Sequence, residues 1–395
     1  MVRSALSTQH SALIYLDNAA TTQLDPRVLD AMLPWLREHY GNPASEHAAG
    51  RRARAAVEQA RAQVAALLGA SAEEIVWTSG ATESNNLAIK GVLEFRGARA
   101  GHIVTSRIEH KSVLDTCRWL ETQGARVTYL KPAANGVVSP EQVLEALTPQ
   151  TALVSLMWVN NEISNINEVE RLAPLLRERG ILLHVDAVQA AGKLPINLAQ
   201  TPIDLLSVSA HKLYGPKGVG ALFVRKRPRA RLAPLIHGGG HEQGMRSGTL
   251  AAHQLAGMGE AYRIAREELS ADAERLAGLR DDLWQRLQVL PKIVLNGDPQ
   301  LRAPHILNVS FEGAEGESLR AMLGDIAVSS GSACSSVTRE PSFVLRALGR
   351  DDELAGSSLR FSLGRFTTAD EVEQAAGKVI AAVNWLRELS PSWNP

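Results

Sequence analysis

Between residues 74 and 224 the chain repeats one pattern: a short apolar run, a few small or polar residues, then a segment with helical spacing. The runs are Glu74–Ser79, His102–Ser106, Val127–Leu130, Ala152–Val159, Ile181–Asp186, Ile203–Leu206 and Gly220–Val224. They have the length of strands, and the unbroken apolar stretch Ala152–Val159 predicts a strand covered on both faces. Helical patterns follow most of them, as in Glu83–Phe95, Lys111–Gln123 and Val169–Arg179. This alternation predicts an α/β fold with a largely parallel sheet and helices on both faces. Sheets of that kind bind their ligands beyond the carboxyl ends of the strands, so the residues directly after each run carry the functional reading.

The flanking segments complete the outline. Ile14-Tyr15-Leu16 reads as a short extended piece entering a small-residue turn, and a helix is expected from Asp25-Pro26, where proline's missing N–H costs nothing. Arg51–Leu68 is a further helix, stopped at Gly69. The segment His237–Thr249 is too polar and glycine-rich to pack a core, so it reads as a functional or interface loop. Two helices, Ala251–Glu267 and Ala271–Gln288, then lead to strands near His305–Phe311, Ile326–Ser329 and Leu359–Leu363. At 395 residues the chain exceeds what one core usually holds. A large domain over residues 14–264 is therefore expected, with a smaller α+β domain over 265–395 joined by the first thirteen residues.

Several residues at the strand ends have chemistry to offer. Ser209, His211 and Lys212 follow the run Ile203–Leu206, and a lysine with little acidic company in such a place is a candidate Schiff-base lysine. Desolvation favours the neutral amine that attack on a carbonyl requires. Lys217, between Pro216 and Gly218, suits a turn better than a site. Gly80-Ala81-Thr82 turns a strand into a helix, an arrangement that aims free N–H groups at an anion; Thr82 reads equally well as a plain cap. Asp186 directly follows a buried strand, either as part of a capping box with Gln189 or as the partner of a buried cation.

Composition excludes several classes. Lys plus Arg and Asp plus Glu are both 42, so no global field favours nucleic acid or an anionic membrane. No run approaches transmembrane length. The first residues lack a secretory pattern, so a reducing cytoplasm is the expected location. Two cysteines, Cys117 and Cys334, exclude a disulfide framework and a multi-cysteine metal site. Cys117 shares a helical face with Val113, Leu114 and Leu120 and reads as core. Cys334 sits among small polar residues in a loop that suits a thiol reaching a substrate. A Schiff-base lysine, an acid behind a strand, a helix start for a phosphate and a histidine together describe a pyridoxal phosphate site.

The sequence resembles the cysteine desulfurases, specifically the NifS/IscS-like group of the class V aminotransferase family. The resemblance runs from Tyr15-Leu-Asp-Asn-Ala-Ala-Thr-Thr22 to Ser390-Pro-Ser-Trp393. It rests on TSGATESNNLAIKG, EHKSVLDTC, NNEI, HVDAVQ, SAHKLYGPKG, GGGHEQGMRSGT, SSGSACSS and RFSLGRFTT, in that order. It implies the fold type I architecture of large pyridoxal 5'-phosphate enzymes, as a homodimer. The implied reaction takes sulfur from L-cysteine, gives L-alanine, and leaves a persulfide on Cys334 for iron–sulfur assembly and RNA thiolation. By resemblance, Lys212 forms the imine, Asp186 pairs with the pyridine nitrogen, and Gln189 bonds the ring's phenolic oxygen. His110 stacks on the ring and helps move protons. Ala81, Thr82, Ser209 and His211 hold the phosphate, and Thr249 reaches the phosphate of the partner subunit. Asn161 and Arg360 hold the substrate carboxylate. The implied partners are an iron–sulfur scaffold and sulfur-relay acceptors, with neither direct nucleic acid contact nor a membrane. The only implied metal link is a transient cluster contact through Cys334. A related lyase or aminotransferase, or a non-catalytic scaffold, are the alternatives.

The chain departs from the family pattern at Ser164-Asn165, where glycine usually follows Asn161-Glu162-Ile163, and at Asn18, Gln23 and Gln243. It stops at Ser390-Pro-Ser-Trp-Asn-Pro395, where relatives continue with a tail that helps dock the scaffold, so weaker scaffold binding is expected.

Overall fold

A computed structural model of the protein describes residues 13–97, 101–331, 340–390 and 393–394. Its main sheet has seven strands in the order Ile75–Thr78, Gly220–Val224, Leu205–Ser209, Leu182–Asp186, Thr151–Met157, His102–Ser106 and Arg126–Leu130. Gly220–Val224 runs antiparallel to both of its neighbours and every other pairing is parallel, in agreement with the α/β reading. The strands His102–Ser106, Thr151–Met157 and Leu205–Ser209 are buried along their whole length, as expected of strands covered on both faces.

A smaller antiparallel sheet, ordered Ser358–Ser362, Ile306–Phe311, Ile293–Leu295, packs a separate apolar cluster around Phe311, Phe361, Leu307 and Val379. Ile293–Leu295 was not anticipated, being short and only half-buried. The two helices expected over 251–288 are one helix, Ala252–Leu287. Nothing between Glu267 and Ala271 breaks it, because Ser270 alone is no helix stop. Its first half gives Met258, Ala261 and Tyr262 to the main core, and its second half gives Leu276, Leu283 and Leu287 to the smaller one. Each fully buried leucine contributes about 1.5–3 kcal/mol, so this helix stabilises both cores at once.

The N-terminal segment joins the two layers. Ile14–Tyr15 pairs in parallel with Ile326–Ala327, and Asp17 bridges to Ser362. The Asn18 amide donates to the Ser362 carbonyl at 2.9 Å. A few residues later Thr22 N–H and Oγ1 both reach the His211 carbonyl, and the Tyr214 N–H donates to Thr22 Oγ1. No helix among the described residues is long and apolar enough to cross a membrane.

Candidate active site

A cavity of about 460 Å3 lies at the carboxyl ends of the parallel strands, within the size range of cofactor sites. Ala81, Thr82, His110, Asn161, Asp186, Gln189, Ser209, His211, Lys212 and Arg360 all line it. Lys217 lies in a turn, as expected, and that turn also lines the cavity. Thr249 is exposed and does not line it. Cys334 lies outside the described residues.

The helix Ala81–Phe95 opens at this cavity. Its N-cap is Gly80, with φ at 152° and no side-chain cap, so Thr82 belongs to the first turn and is not the cap. Only glycine adopts that backbone at ease, and a Cβ placed on it would meet no atom within 4 Å. Gly80, Ala81 and Thr82 line the cavity, and the positive end of the helix dipole with its free N–H groups favours an anion there.

Lys212 follows the strand Leu205–Ser209, and its Nζ donates to the Ala19 and Ala20 carbonyls at 2.6 and 2.5 Å. His211 Nδ1 lies 3.2 Å from Thr21 Oγ1. Burial, then the charges of Lys212 and Lys217, push the His211 imidazole down to about 4. It is neutral at ordinary pH, able both to donate and to accept one hydrogen bond.

Asp186 ends the neighbouring strand Leu182–Asp186 and is buried. Its Oδ1 accepts the Val188 N–H at 3.1 Å, and its Oδ2 accepts from Asn85 Nδ2 at 2.9 Å. The residues after it form turns instead of a helix, so the capping-box reading does not hold. Gln189 is held from both ends: Nε2 donates to the Ala19 carbonyl at 3.0 Å, and Oε1 lies 3.1 Å from His305 Nε2. His305 is buried and held well below the usual imidazole range by burial and by the charges of Lys193, Arg280 and Arg360; because Gln189 Oε1 can only accept, His305 Nε2 is the donor between them.

Arg360, on the strand Ser358–Ser362, is 1% exposed. Its guanidinium donates to the Asn161 carbonyl at 2.8 Å and pairs with Asp17 at 2.7 Å, while Nε has no partner among the described residues. Behind the wall, Glu109 is buried; Oε1 accepts the Met157 N–H at 3.0 Å and Oε2 has no partner among the described residues. Burial and the nearby Asp186 raise its carboxyl well above the carboxylate range.

The loop 237–249 is pinned at two points. Glu242 takes a two-point ion pair from Arg61 at 2.7 and 3.0 Å and accepts the Trp77 N–H at 2.9 Å. Arg246 pairs with Glu83, in the first turn of the anion-facing helix, at 2.9 Å. Asn85, Ser112, Asp17, Glu109 and His305 were not anticipated. Asn85 alone carried a sequence signal, as a polar residue on the helical face of Ala88, Ile89 and Val92, all buried.

The donor set fits a pyridoxal phosphate. An uncapped helix start with adjacent hydroxyls suits the phosphate, a buried carboxylate suits a protonated ring nitrogen, an amine suits the carbonyl, and a cationic fork suits an amino acid carboxylate.

These features are those of a pyridoxal phosphate enzyme, and the family model for class-V aminotransferases matches residues 14–375; the chain belongs to that family. Within it, the chain is similar to the cysteine desulfurase IscS of Azotobacter vinelandii, at 57% identity over 384 residues, covering 96% of this chain and 95% of that one. Among solved structures, one titled NifS-like protein superposes with a TM-score of 0.88 at 38% identity, covering 94% of this chain and 100% of that one. One titled SspA in complex with cysteine gives 0.80 at 38% identity, covering 90% and 99%.

Proposed function

We propose that this protein is a pyridoxal phosphate-dependent cysteine desulfurase that converts L-cysteine to L-alanine and leaves the sulfur as a persulfide on Cys334. The observation that carries the reading is the meeting of Lys212, Asp186, the uncapped helix start and Arg360 in one cavity. When bound, the cofactor supplies an electron sink that stabilises negative charge at the carbons of the substrate. Ala81, Thr82, Ser209 and His211 would hold its phosphate, and Asp186 and Gln189 would hold its ring.

Lys212 Nζ, placed by the Ala19 and Ala20 carbonyls, is the amine that would hold the cofactor through its carbonyl. Arg360 and Asn161 orient the substrate by its carboxylate, and His110 moves protons at the ring face. The Cys334 thiolate attacks the substrate sulfur: an S–S bond forms and the C–S bond breaks. The C–S electron pair stays with the substrate carbon, which takes a proton and becomes the methyl group of alanine. Cys334 is oxidised to the persulfide level as that carbon is reduced, and no other oxidant is needed.

Thr249 is exposed at the end of a loop pinned by Glu242 and Arg246, which supports a homodimer in which it serves the partner subunit's phosphate. We read residues 14–264 as the cofactor domain and 265–395, with the first thirteen, as the small domain carrying the Cys334 loop. Acceptors would be an iron–sulfur scaffold and sulfur-relay proteins in the cytoplasm, the relay leading to RNA thiolation.

The test is brief exposure to L-cysteine, followed by mass spectrometry of the Cys334 peptide and assay of alanine. One added sulfur atom on Cys334 with matching alanine is expected. Normal turnover by Cys334→Ser would overturn the reading.

A further inference from the structure

The helix Lys111–Thr122 starts at the cavity, and its first turn belongs to a hydrogen-bond chain joining His110 to Asp186. His110 is the N-cap residue, and its Nδ1 accepts the Ser112 N–H at 3.1 Å. The Ser112 hydroxyl oxygen lies 2.8 Å from the same Nδ1. That oxygen is also 2.8 Å from Asn85 Nδ2, which in turn lies 2.9 Å from Asp186 Oδ2. Asn85, Ser112 and Asp186 are all buried.

The direction of each hydrogen follows from what each atom can do. A carboxylate oxygen only accepts, so the Asn85 atom facing Asp186 is its amide nitrogen. The two hydrogens of that nitrogen go to Asp186 and to Ser112. Ser112 Oγ thus accepts from Asn85, and its own hydrogen is left for His110 Nδ1. Nδ1 then faces two donors, the hydroxyl and the N–H of Ser112, and carries no hydrogen itself. The proton of the neutral ring sits on Nε2. The same arrangement leaves Asn85 Oδ1 buried without a partner. Turning the amide over would set its oxygen against the carboxylate, lose the bond to Asp186 and draw the Ser112 hydrogen away from His110, so the orphaned oxygen is the less costly choice.

We propose that Ser112 and Asn85 are positioning residues that fix His110 as the Nε2–H tautomer and tie it to the Asp186 carboxylate. This rests on the reading of His110 and Asp186 as groups that act on the cofactor. Ser112 settles which ring nitrogen is the donor, and Asn85 settles which way the Ser112 hydroxyl turns. The ring is thus presented with a single proton on a defined nitrogen, as a group that moves protons must be.

The test is NMR of the holoenzyme with histidine ring nitrogens labelled with 15N, the His110 signals being identified by their loss in His110→Gln. Long-range proton–nitrogen correlations should show His110 protonated on Nε2 alone. Ser112→Ala should shift population toward the Nδ1–H form and lower kcat for cysteine about tenfold, with KM little changed; Ser112→Thr, which keeps the hydroxyl, should restore both. A wild-type His110 protonated on Nδ1, or a tautomer unchanged in Ser112→Ala, would overturn the proposal. The wild-type spectrum decides the first point even if a variant misfolds. Alanine and persulfide assays on the same wild-type sample separate the two failures, since their absence sinks the desulfurase reading and leaves the tautomer result standing.

Discussion

Arg360 and Asp17 lie 343 positions apart in the chain and form an ion pair at 2.7 Å, in which the arginine side chain is 1% exposed and the aspartate 20%. A buried guanidinium without its partner is strongly unfavourable. Asp17→Asn should therefore lower stability by about 2 kcal/mol, less than for a fully buried pair because Asp17 retains some solvent. Urea unfolding of the holoenzyme is the measurement. Arg360→Lys keeps a charge but not the fork, so it should raise KM for cysteine about tenfold at a smaller stability cost.

Lys212 and Lys217 both line the cavity, and their substitutions should part company. Lys212→Ala should abolish alanine production and the visible absorption of bound cofactor. Lys217→Ala removes one positive charge beside the anion-facing helix start, and should weaken cofactor retention by about 1 kcal/mol without abolishing turnover. Equilibrium dialysis with the cofactor, beside an alanine assay, distinguishes them; the reverse pattern would reassign the reactive lysine.

Burial pushes the Cys117 thiol up to about 12, with Glu109 and Glu121 adding to the effect. It is 0% exposed, so thiolate chemistry there is suppressed. A thiol reagent applied to the native protein should modify at most one cysteine per chain, and Cys334→Ser should remove that modification. Labelling of Cys117 before unfolding would contradict this.

Ser164 stands in the left-handed region at φ 69°, at the position where the family pattern has glycine. Its hydroxyl donates to the Ala303 carbonyl at 3.0 Å, which offsets part of the strain. Ser164→Ala loses the hydrogen bond and keeps the strain; Ser164→Gly loses the bond and relieves it. The glycine variant should be the more stable of the two by about 1–2 kcal/mol in thermal or urea melts.

Lys193 is buried beside the Tyr214 ring, 4.9 Å from its centre. Burial, then the charge of Arg365, lowers its ammonium from 10.5 to about 8. Between those two values the unfolded chain holds more protons than the native one, so this group makes stability rise with pH across the window. Below pH 8 both states are charged and its contribution is lost. The difference in unfolding free energy between wild type and Lys193→Met should thus shift in favour of the wild type from pH 8 to 10.5. A flat difference would show that Lys193 titrates normally.

What could be read in the sequence is what periodicity and composition encode locally. Val154, Leu183 and Leu206 announced their strands because burial on both faces leaves no polar alternation. Lys212 and Asp186 could be placed because strand ends in such sheets converge. Asp186 misled as a helix cap: its Oδ1 does accept a nearby N–H, that of Val188, but the chain turns instead of coiling. The break expected near Ser270 failed for a different reason, since burial in two cores outweighs one weak helix former. Asp17, Ser112 and His305 stayed invisible because their roles depend on partners far away in sequence or on the direction of one hydrogen.

The segment from Ile14 to Thr22 also bears on how the protein is made. On a ribosome these residues emerge long before their partners, since Ile14 pairs with Ile326 and Asn18 bonds Ser362. The carbonyls of Ala19 and Ala20 that place Lys212 therefore cannot settle until the strand Ser358–Ser362 has been synthesised. Closing so long a loop carries an entropic cost before any contact repays it. A nascent chain could build much of the main sheet and still lack a finished lysine site, so cofactor capture becomes an event that waits on the smaller sheet.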